Sequence, residues 1–224
     1  MQFYSLPSRI EGLAFDIDKT LYNNDYYAKN QIDLLIERFA QERSETIADA
    51  RRAILRWQED YAAANDGARQ SLGNTFAALG VPIETSVAWR EELIRPEHFL
   101  QPDEYLGRAL EELAREYRIV AVTNNPVRVG RATLEALGVG RYFPHVVGLD
   151  STLRSKPDPA TFRHAAEVLR CQPEAAVSIG DRYEVDIVPA LSVGMGGILV
   201  DGVHDVYSLP RALASERELE ESTD

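Results

Sequence analysis

The sequence is short of cysteine and lysine, and each shortage excludes a class of protein. Cys171 is the only cysteine, so an intrachain disulfide framework is impossible and a reducing compartment is expected. Lysine occurs only at positions 19, 29 and 156 of the 224 residues, and the net charge is −12. Such an acidic chain lacks the clustered positive surface with which proteins bind a nucleic acid polymer.

Long apolar runs are missing as well. No stretch approaches the length that spans a bilayer, and residues 1–7 lack the basic and apolar regions of a signal peptide. We therefore expect a cytoplasmic protein without a membrane partner. The hydrophobic fraction of 45% and the charged fraction of 27% are typical of an ordinary globular protein.

Residues 31–94 have helical periodicity throughout. Apolar residues recur at spacings of three and four along three segments, which predicts three helices in a small bundle. We expect the third helix to stop at Gly80 and Pro82, and a shorter fourth helix to cover residues 85–94. The apolar positions of the three segments are Ile32, Leu35, Ile36 and Phe39; Ile47, Ala50, Ile54, Trp57 and Tyr61; and Leu72, Phe76 and Leu79.

After about residue 100, helical segments alternate with continuous apolar segments, which indicates a parallel sheet covered on both faces. The predicted fold class is therefore α/β, with a doubly wound parallel sheet. The predicted strands are residues 12–17, 118–123, 145–149, 176–179 and 197–200.

The first two predicted strands are separated by roughly a hundred residues, far more than a crossover connection requires. We interpret residues 22–99 as a helical domain inserted into a core made of residues 1–21 and 100–214. The acidic residues 215–224 are expected to form a flexible tail.

Polar side chains follow the predicted strands. Because ligands bind beyond the carboxyl ends of parallel strands, these side chains are expected to meet at one edge of the sheet. Asp16 and Asp18 leave the first strand on the same face, because strand side chains alternate. The later strands are followed by Thr123 and Asn124, by Lys156, and by Asp181 and Asp186.

Each of these groups also has an ordinary structural explanation. Thr123 and Asn124 could cap a helix, Lys156 could be a solvated loop residue, and the aspartates could serve turns or helix starts. Together they indicate a site, because clustered carboxylates need a counter-charge and their hard oxygen atoms suit Mg²⁺. Mg²⁺ with a lysine and a hydroxyl is suited to binding a phosphoryl group.

The order of these motifs resembles that of the haloacid dehalogenase superfamily of phosphohydrolases, in the subfamily with an inserted helical cap. The matching segments are residues 15–21, 122–124, 156–159 and 179–187. The resemblance covers about residues 10–21 and 100–203, and the helical insert matches the cap only in position and type. It implies a Rossmann-like core and a Mg²⁺-dependent phosphatase that hydrolyses a small phosphorylated metabolite.

The resemblance also implies residue roles. Asp16 would be the nucleophile that forms an aspartyl-phosphate, and Asp18 would be the general acid and then the general base. The metal site would comprise Asp16, the backbone carbonyl of Asp18, and Asp181, with Asp186 holding a metal-bound water or orienting Lys156. The phosphoryl oxygens would be bound by Thr123, the backbone N–H of Asn124, and Lys156.

Several alternatives remain at this point. Asp18 argues against the dehalogenases, which lack the second acid, and the position of Lys29 at the entrance of the insert argues against phosphonate hydrolases. A 5′-nucleotidase or a sugar phosphomutase could share the same core. A receiver-like signalling phosphoprotein needs neither the insert nor Asp18. Lys19 departs from the family, which usually has a small or neutral residue there.

Overall fold

The computed structural model describes residues 1–68 and 70–221. Its centre is a six-stranded sheet with the strand order β1-β6-β5-β2-β3-β4. The four pairings among β2 to β6 are parallel, and β1 runs antiparallel to β6 at the edge. The strands are β1 Gln2–Tyr4, β2 Gly12–Phe15, β3 Arg118–Val122, β4 His145–Val147, β5 Ala176–Gly180 and β6 Gly196–Leu199.

Helices cover both faces of this sheet, so the predicted doubly wound α/β fold is confirmed. On one face, Leu13 and Phe15 of β2 pack in an apolar cluster with α5, α6 and α10. On the other face, Ala14 packs in a cluster with Phe162 of α8 and Ala190 of α9. The core helices are α5 Glu104–Glu116, α6 Val127–Ala136, α7 Leu149–Thr152, α8 Pro159–Leu169, α9 Val188–Leu191 and α10 Val203–Glu221.

The connection from β2 to β3 contains four helices before α5: α1 Asp25–Glu42, α2 Ile47–Ala64, α3 Leu72–Ala78 and α4 Ile83–Leu93. These inserted helices share an apolar cluster of their own, in which the rings of Phe39 and Phe76 stack with centroids 5.1 Å apart. The first three are capped by Asn24, Thr46 and Ser71, whose side chains accept backbone N–H groups. Short 3₁₀ helices occur at Pro96–His98, Gly140–Tyr142 and Pro173–Ala175.

Some details differ from the sequence-based expectations. Strand β1 was not predicted, because its three half-exposed residues carry no clear alternation. Residues 185–193, which have the pattern of one of the alternating helical segments, form a π-helical turn, Tyr183–Ile187, followed by α9, since Pro189 has no N–H to continue an α-helical ladder. The predicted strand 145–149 ends at Val147, and Leu149 already begins α7.

Part of the acidic end of the chain is helical. Helix α10 continues through residue 215 to Glu221, and residues 222–224 of the predicted tail lie outside the described part of the chain. Within the described residues, every helix is too short or too polar to cross a bilayer.

Candidate active site

The carboxyl end of β2 carries Asp16 into a buried position. The backbone N–H of Asp16 donates to the carbonyl of Ile179 (2.8 Å), so the residue continues the pairing between β2 and β5. Only 3% of Asp16 is exposed, and the hydroxyl of Thr20 donates to its Oδ2 atom (3.1 Å). Thr20, whose role the sequence analysis missed, therefore fixes the orientation of this carboxylate.

Lys156 lies between two buried carboxylates. Its Nζ atom donates to Oδ1 of Asp16 and to Oδ1 of Asp186, each at 2.6 Å, and to the carbonyl of Val122 at 3.0 Å. Burial lowers the pKa of Lys156, but Asp16 and Asp186 outweigh burial and raise it above its ordinary value. The site therefore contains a charged ammonium beside Asp16, although only 1% of Lys156 is exposed.

Asn124 holds the backbone of Lys156. Its Oδ1 atom accepts from the N–H of Lys156 (2.7 Å), and its Nδ2 atom donates to the Lys156 carbonyl (3.1 Å). The carboxyl end of β3 thereby sets the position of the loop that carries Lys156. This side-chain contact adds to the predicted role of Asn124, which involved only its backbone N–H.

Asp18 accepts hydrogen bonds from both sides of the site. Oδ1 accepts from the hydroxyl of Tyr22 (2.6 Å) and from Nε2 of Gln31 (2.9 Å). Oδ2 accepts from Nδ2 of Asn125 (3.1 Å) and from the Thr123 hydroxyl at 3.4 Å. The surroundings of Asp18 thus differ from those of Asp16, whose main partner is an ammonium group.

Sequence reasoning missed three of these partners of Asp18. Gln31 reaches the site from α1, and its Oε1 atom accepts from Asn125 (2.8 Å), which links α1 to the end of β3. Nothing in the local sequence distinguishes this glutamine from a surface residue. Asn125 follows the predicted strand directly, so its position at the strand end was the available signal. The only sequence signal for Tyr22 was that it belongs to a tyrosine-rich segment.

Asp16, Asp181 and Asp186 bring carboxylate oxygens within 4.8 Å of one another. In the described part of the chain, the buried Oδ1 atom of Asp181 has no hydrogen-bond partner, and the nearest cation is Nε of Arg182 at 3.6 Å. Burial, and then the charge of Asp16, raise the pKa of Asp181 to about 7.

This donor set fits Mg²⁺. Its atoms are hard carboxylate oxygens, and an orphaned oxygen on Asp181 is available as a ligand. Asp16, Asp181 and Asp186, which are three of the four residues predicted for a metal site, therefore lie together. The carboxylate of Asp18 belongs to the other hydrogen-bond network.

Gly180 gives Asp186 room to approach the site. A Cβ atom at position 180 would collide with the side chain of Asp186, so only glycine allows this packing. The Oδ2 atom of Asp186 accepts from the N–H of Arg182 (3.1 Å), and its carbonyl accepts from the hydroxyl of Ser178 (2.8 Å). These bonds hold Asp186 with one oxygen directed at Lys156.

The backbone explains why a small or neutral residue is expected between Asp18 and Thr20. Lys19 has φ +65°, in the left-handed region that favours glycine and asparagine. The small or neutral residue expected at this position therefore matches a backbone requirement, and Lys19 adopts the same conformation at some cost in strain. Its exposed ammonium pairs with Asp25 at 3.0 Å, directly at the start of α1.

A cavity of about 230 Å³ lies between the strand ends and the inserted helices. Asp18, Asn124 and Asp181 line it on the core side. Gln31 of α1 and Arg90 of α4 line it on the side of the inserted helices. A hydrogen bond of 2.6 Å between Ser71 and Ser155 joins the two sides at its margin.

A doubly wound sheet whose strand ends hold two separate acids, a buried lysine and an acidic cluster is typical of hydrolases with a Rossmann-like core. The model of the haloacid dehalogenase-like hydrolase family matches residues 10–194, and the chain belongs to this family. The predicted family and the prediction that the protein is an enzyme are thereby confirmed.

Curated relatives and solved structures agree with this assignment. The chain is 25% identical to N-acylneuraminate-9-phosphatase of Mus musculus, over 84% of this chain and 81% of the relative. It is 26% identical to the 5-amino-6-(5-phospho-D-ribitylamino)uracil phosphatase YigB of Escherichia coli, with coverages of 87% and 85%. A crystal structure of a HAD phosphatase from Thermococcus onnurineus superposes with a TM-score of 0.58 at 25% identity, with coverages of 85% and 86%.

Proposed function

We propose that the protein is a Mg²⁺-dependent phosphatase that hydrolyses a small phosphate monoester through an aspartyl-phosphate on Asp16. The observation that carries the proposal is the buried ammonium of Lys156, 2.6 Å from Asp16 and from Asp186. Without a cation, the Asp16 carboxylate would meet the phosphoryl oxygens with like-charge repulsion. Both curated relatives named above are phosphatases of phosphorylated small molecules by name, which supports this substrate class.

In the first step, an oxygen of Asp16 attacks the phosphorus atom, and the bond from phosphorus to the leaving oxygen breaks. Asp18, protonated at the start, gives its proton to the leaving oxygen so that a neutral alcohol departs. In the second step, Asp18 takes a proton from water while that water attacks phosphorus. The aspartyl–phosphate bond breaks, which releases phosphate and regenerates both Asp16 and the protonated Asp18.

Two sets of residues support these steps. Lys156, the hydroxyl of Thr123 and the backbone N–H of Asn124 bind the phosphoryl oxygens and neutralise their charge. Mg²⁺, when bound, would add positive charge beside the phosphoryl group. It would be held by Asp16, Asp181 and the backbone carbonyl of Asp18, with Asp186 close by.

We also propose that residues 22–99 act as a cap domain over a core of residues 1–21 and 100–214. The inserted helices have an apolar cluster of their own, and they meet the core at the cavity beside Asp18. Gln31 touches Asp18 directly (2.9 Å), so the position of α1 affects the proposed acid and base. The single cysteine supports a reducing, cytoplasmic setting.

Turnover of p-nitrophenyl phosphate tests the nucleophile. Asp16→Asn is expected to lower kcat by about a thousandfold or more, since the amide cannot form the intermediate. Asp60→Asn is a matched control in α2, because its side chain is 76% exposed and does not line the cavity. EDTA should stop the wild-type enzyme and added Mg²⁺ should restore it. Retained turnover by Asp16→Asn, or a rate independent of metal, would contradict the proposal.

A further inference from the structure

Arg90 of α4 is a buried cation without an acidic partner. Only 5% of the residue is exposed, and in the described part of the chain no carboxylate pairs with its guanidinium. Other arginines of the inserted helices are paired: Arg38 with Glu92 at 2.6 Å, and Arg51 with Asp33 at 2.8 Å. Burying a guanidinium without a counter-charge is unfavourable, so its position needs an explanation.

The hydrogen bonds of Arg90 leave part of its guanidinium free. Nη1 donates to the carbonyl of Ser86 (3.3 Å) and to the Ser86 hydroxyl, one turn earlier in α4. Among the described residues, neither Nη2 nor Nε has a hydrogen-bond partner. These two nitrogens form one edge of the planar group, and such an edge donates two parallel hydrogen bonds to a carboxylate.

Asp18 does not supply the missing charge. Its carboxylate favours the charged form of Arg90 only from a distance, and both of its oxygens already accept bonds from other residues. Burial therefore prevails and lowers the pKa of Arg90 to about 10, which leaves the group charged at neutral pH.

Arg90 lies at the wall of the cavity that also contains Asp18 and Asp181. A phosphoryl group bound beside Asp16 would direct its leaving group away from the strand ends and into this cavity. The inserted helices also line it with the apolar side chains of Ile32, Leu35 and Leu72. Ile32, predicted as part of a packed helix face, is instead 48% exposed because it lines this space.

We propose that Arg90 binds a carboxylate on the leaving group, so that the preferred substrates are phosphorylated hydroxy acids with a short aliphatic part. The inference rests on the proposed phosphatase function and adds the substrate class. A carboxylate matches the free edge of the guanidinium, a short carbon chain matches the apolar wall, and the volume of about 230 Å³ suits a small metabolite.

The test compares kcat/KM for two series of substrates that carry either a carboxylate or a hydroxymethyl group at the far end of the leaving group. Phosphorylated ω-hydroxy acids of two to five carbons are matched with the monophosphates of the corresponding diols. The wild-type enzyme is expected to prefer at least one acid by about 10- to 100-fold, the range for a charge-assisted hydrogen-bonded pair. Arg90→Met is expected to reduce this preference to about one.

Two further variants complete the experiment. Arg52→Met removes the same charge from an exposed position in α2 (73% exposed) and should keep the wild-type preference. Arg90→Lys keeps the charge without the planar fork and should lower the preference by about 3- to 10-fold. Far-UV circular dichroism establishes which variants fold, and if Arg90→Met does not, Arg90→Lys carries the test.

The possible failures are distinguishable. If the wild-type enzyme hydrolyses p-nitrophenyl phosphate with Asp16 but prefers no acid over its matched diol, only the role of Arg90 is overturned. The same holds if the folded Arg90 variants keep the full preference. If no Asp16-dependent hydrolysis occurs with any substrate, the proposed function fails, and the inference about Arg90 fails with it.

Discussion

Replacing Asp181 by asparagine is expected to stabilise the metal-free protein, and to do so more at pH 8 than at pH 5. The folded-state pKa of Asp181 is about 7 because of burial and the charge of Asp16, compared with 3.8 for an ordinary aspartate. Because the pKa of Asp181 is higher in the folded than in the unfolded state, its contribution to the free energy of unfolding is complete below pH 4. This contribution is lost as the pH rises to 7. Asparagine has nearly the same shape and does not ionise.

The magnitude follows from the shift. A difference of about three pKa units corresponds to at most about 4 kcal/mol, which is reached above pH 7. The side chain of Asp181 is 16% exposed, and contact with solvent reduces the expected stabilisation at pH 8 to about 2–3 kcal/mol. At pH 5 the wild-type protein has lost only part of this stability, so Asp181→Asn is expected to be more stable by about 1 kcal/mol.

Urea unfolding in the presence of EDTA at both pH values measures this difference in the free energy of unfolding. Added Mg²⁺ at pH 8 should then stabilise the wild-type protein more than Asp181→Asn, because the variant lacks an anionic ligand. Equal effects of the substitution at pH 5 and pH 8, or a variant less stable than wild type at pH 8, would refute the reasoning. Asp60→Asn, on the exposed face of α2, serves as the control.

Two further substitutions test the packing of the site. Lys156→Met leaves the carboxylates of Asp16 and Asp186 buried without their cation. The free energy of unfolding in urea is therefore expected to fall by about 3–5 kcal/mol, and turnover should be lost. A variant as stable as the wild-type protein would contradict the pairing. Gly180→Ala introduces a Cβ that collides with Asp186, so a loss of about 1–3 kcal/mol and a lower kcat are expected. Gly107→Ala, at an open position in α5, is its control; it should keep the wild-type kcat and raise the stability by up to about 1 kcal/mol, because alanine favours a helix more than glycine does.

The fold was readable from the sequence because its core strands are buried on both faces. Residues 118–122 and 176–180 form continuous apolar segments, and such segments alternating with helices are typical of a parallel sheet. The edge strand β1 lacks this signal, since Gln2–Tyr4 pairs along one side and is half exposed. The π-helical turn at 183–187 was not predicted either, because periodicity alone does not separate it from an α-helix.

The convergence of the aspartates and Lys156 was predictable for a topological reason. Parallel strands end at the same edge of a sheet, so Asp16, Thr123 and Asp181 were expected at one edge once the strands were assigned. The observed order β5-β2-β3 makes them neighbours. Lys19 shows the limit of this reasoning. A lysine is unusual at this sequence position, but only the tertiary structure shows that the backbone of Lys19 has a φ of +65°.

The α/β class and the polar residues at the strand ends could be predicted from the sequence, because burial on two faces and strand-end polarity are local features of neighbouring residues. The strand order β1-β6-β5-β2-β3-β4 is known only from the tertiary structure. The surroundings of each acid depend on tertiary structure instead. Gln31 reaches Asp18 from α1, and Arg90 reaches the cavity from α4, because the inserted helices pack across the strand ends. Contacts between residues so far apart along the chain arise only from packing, which no local pattern specifies.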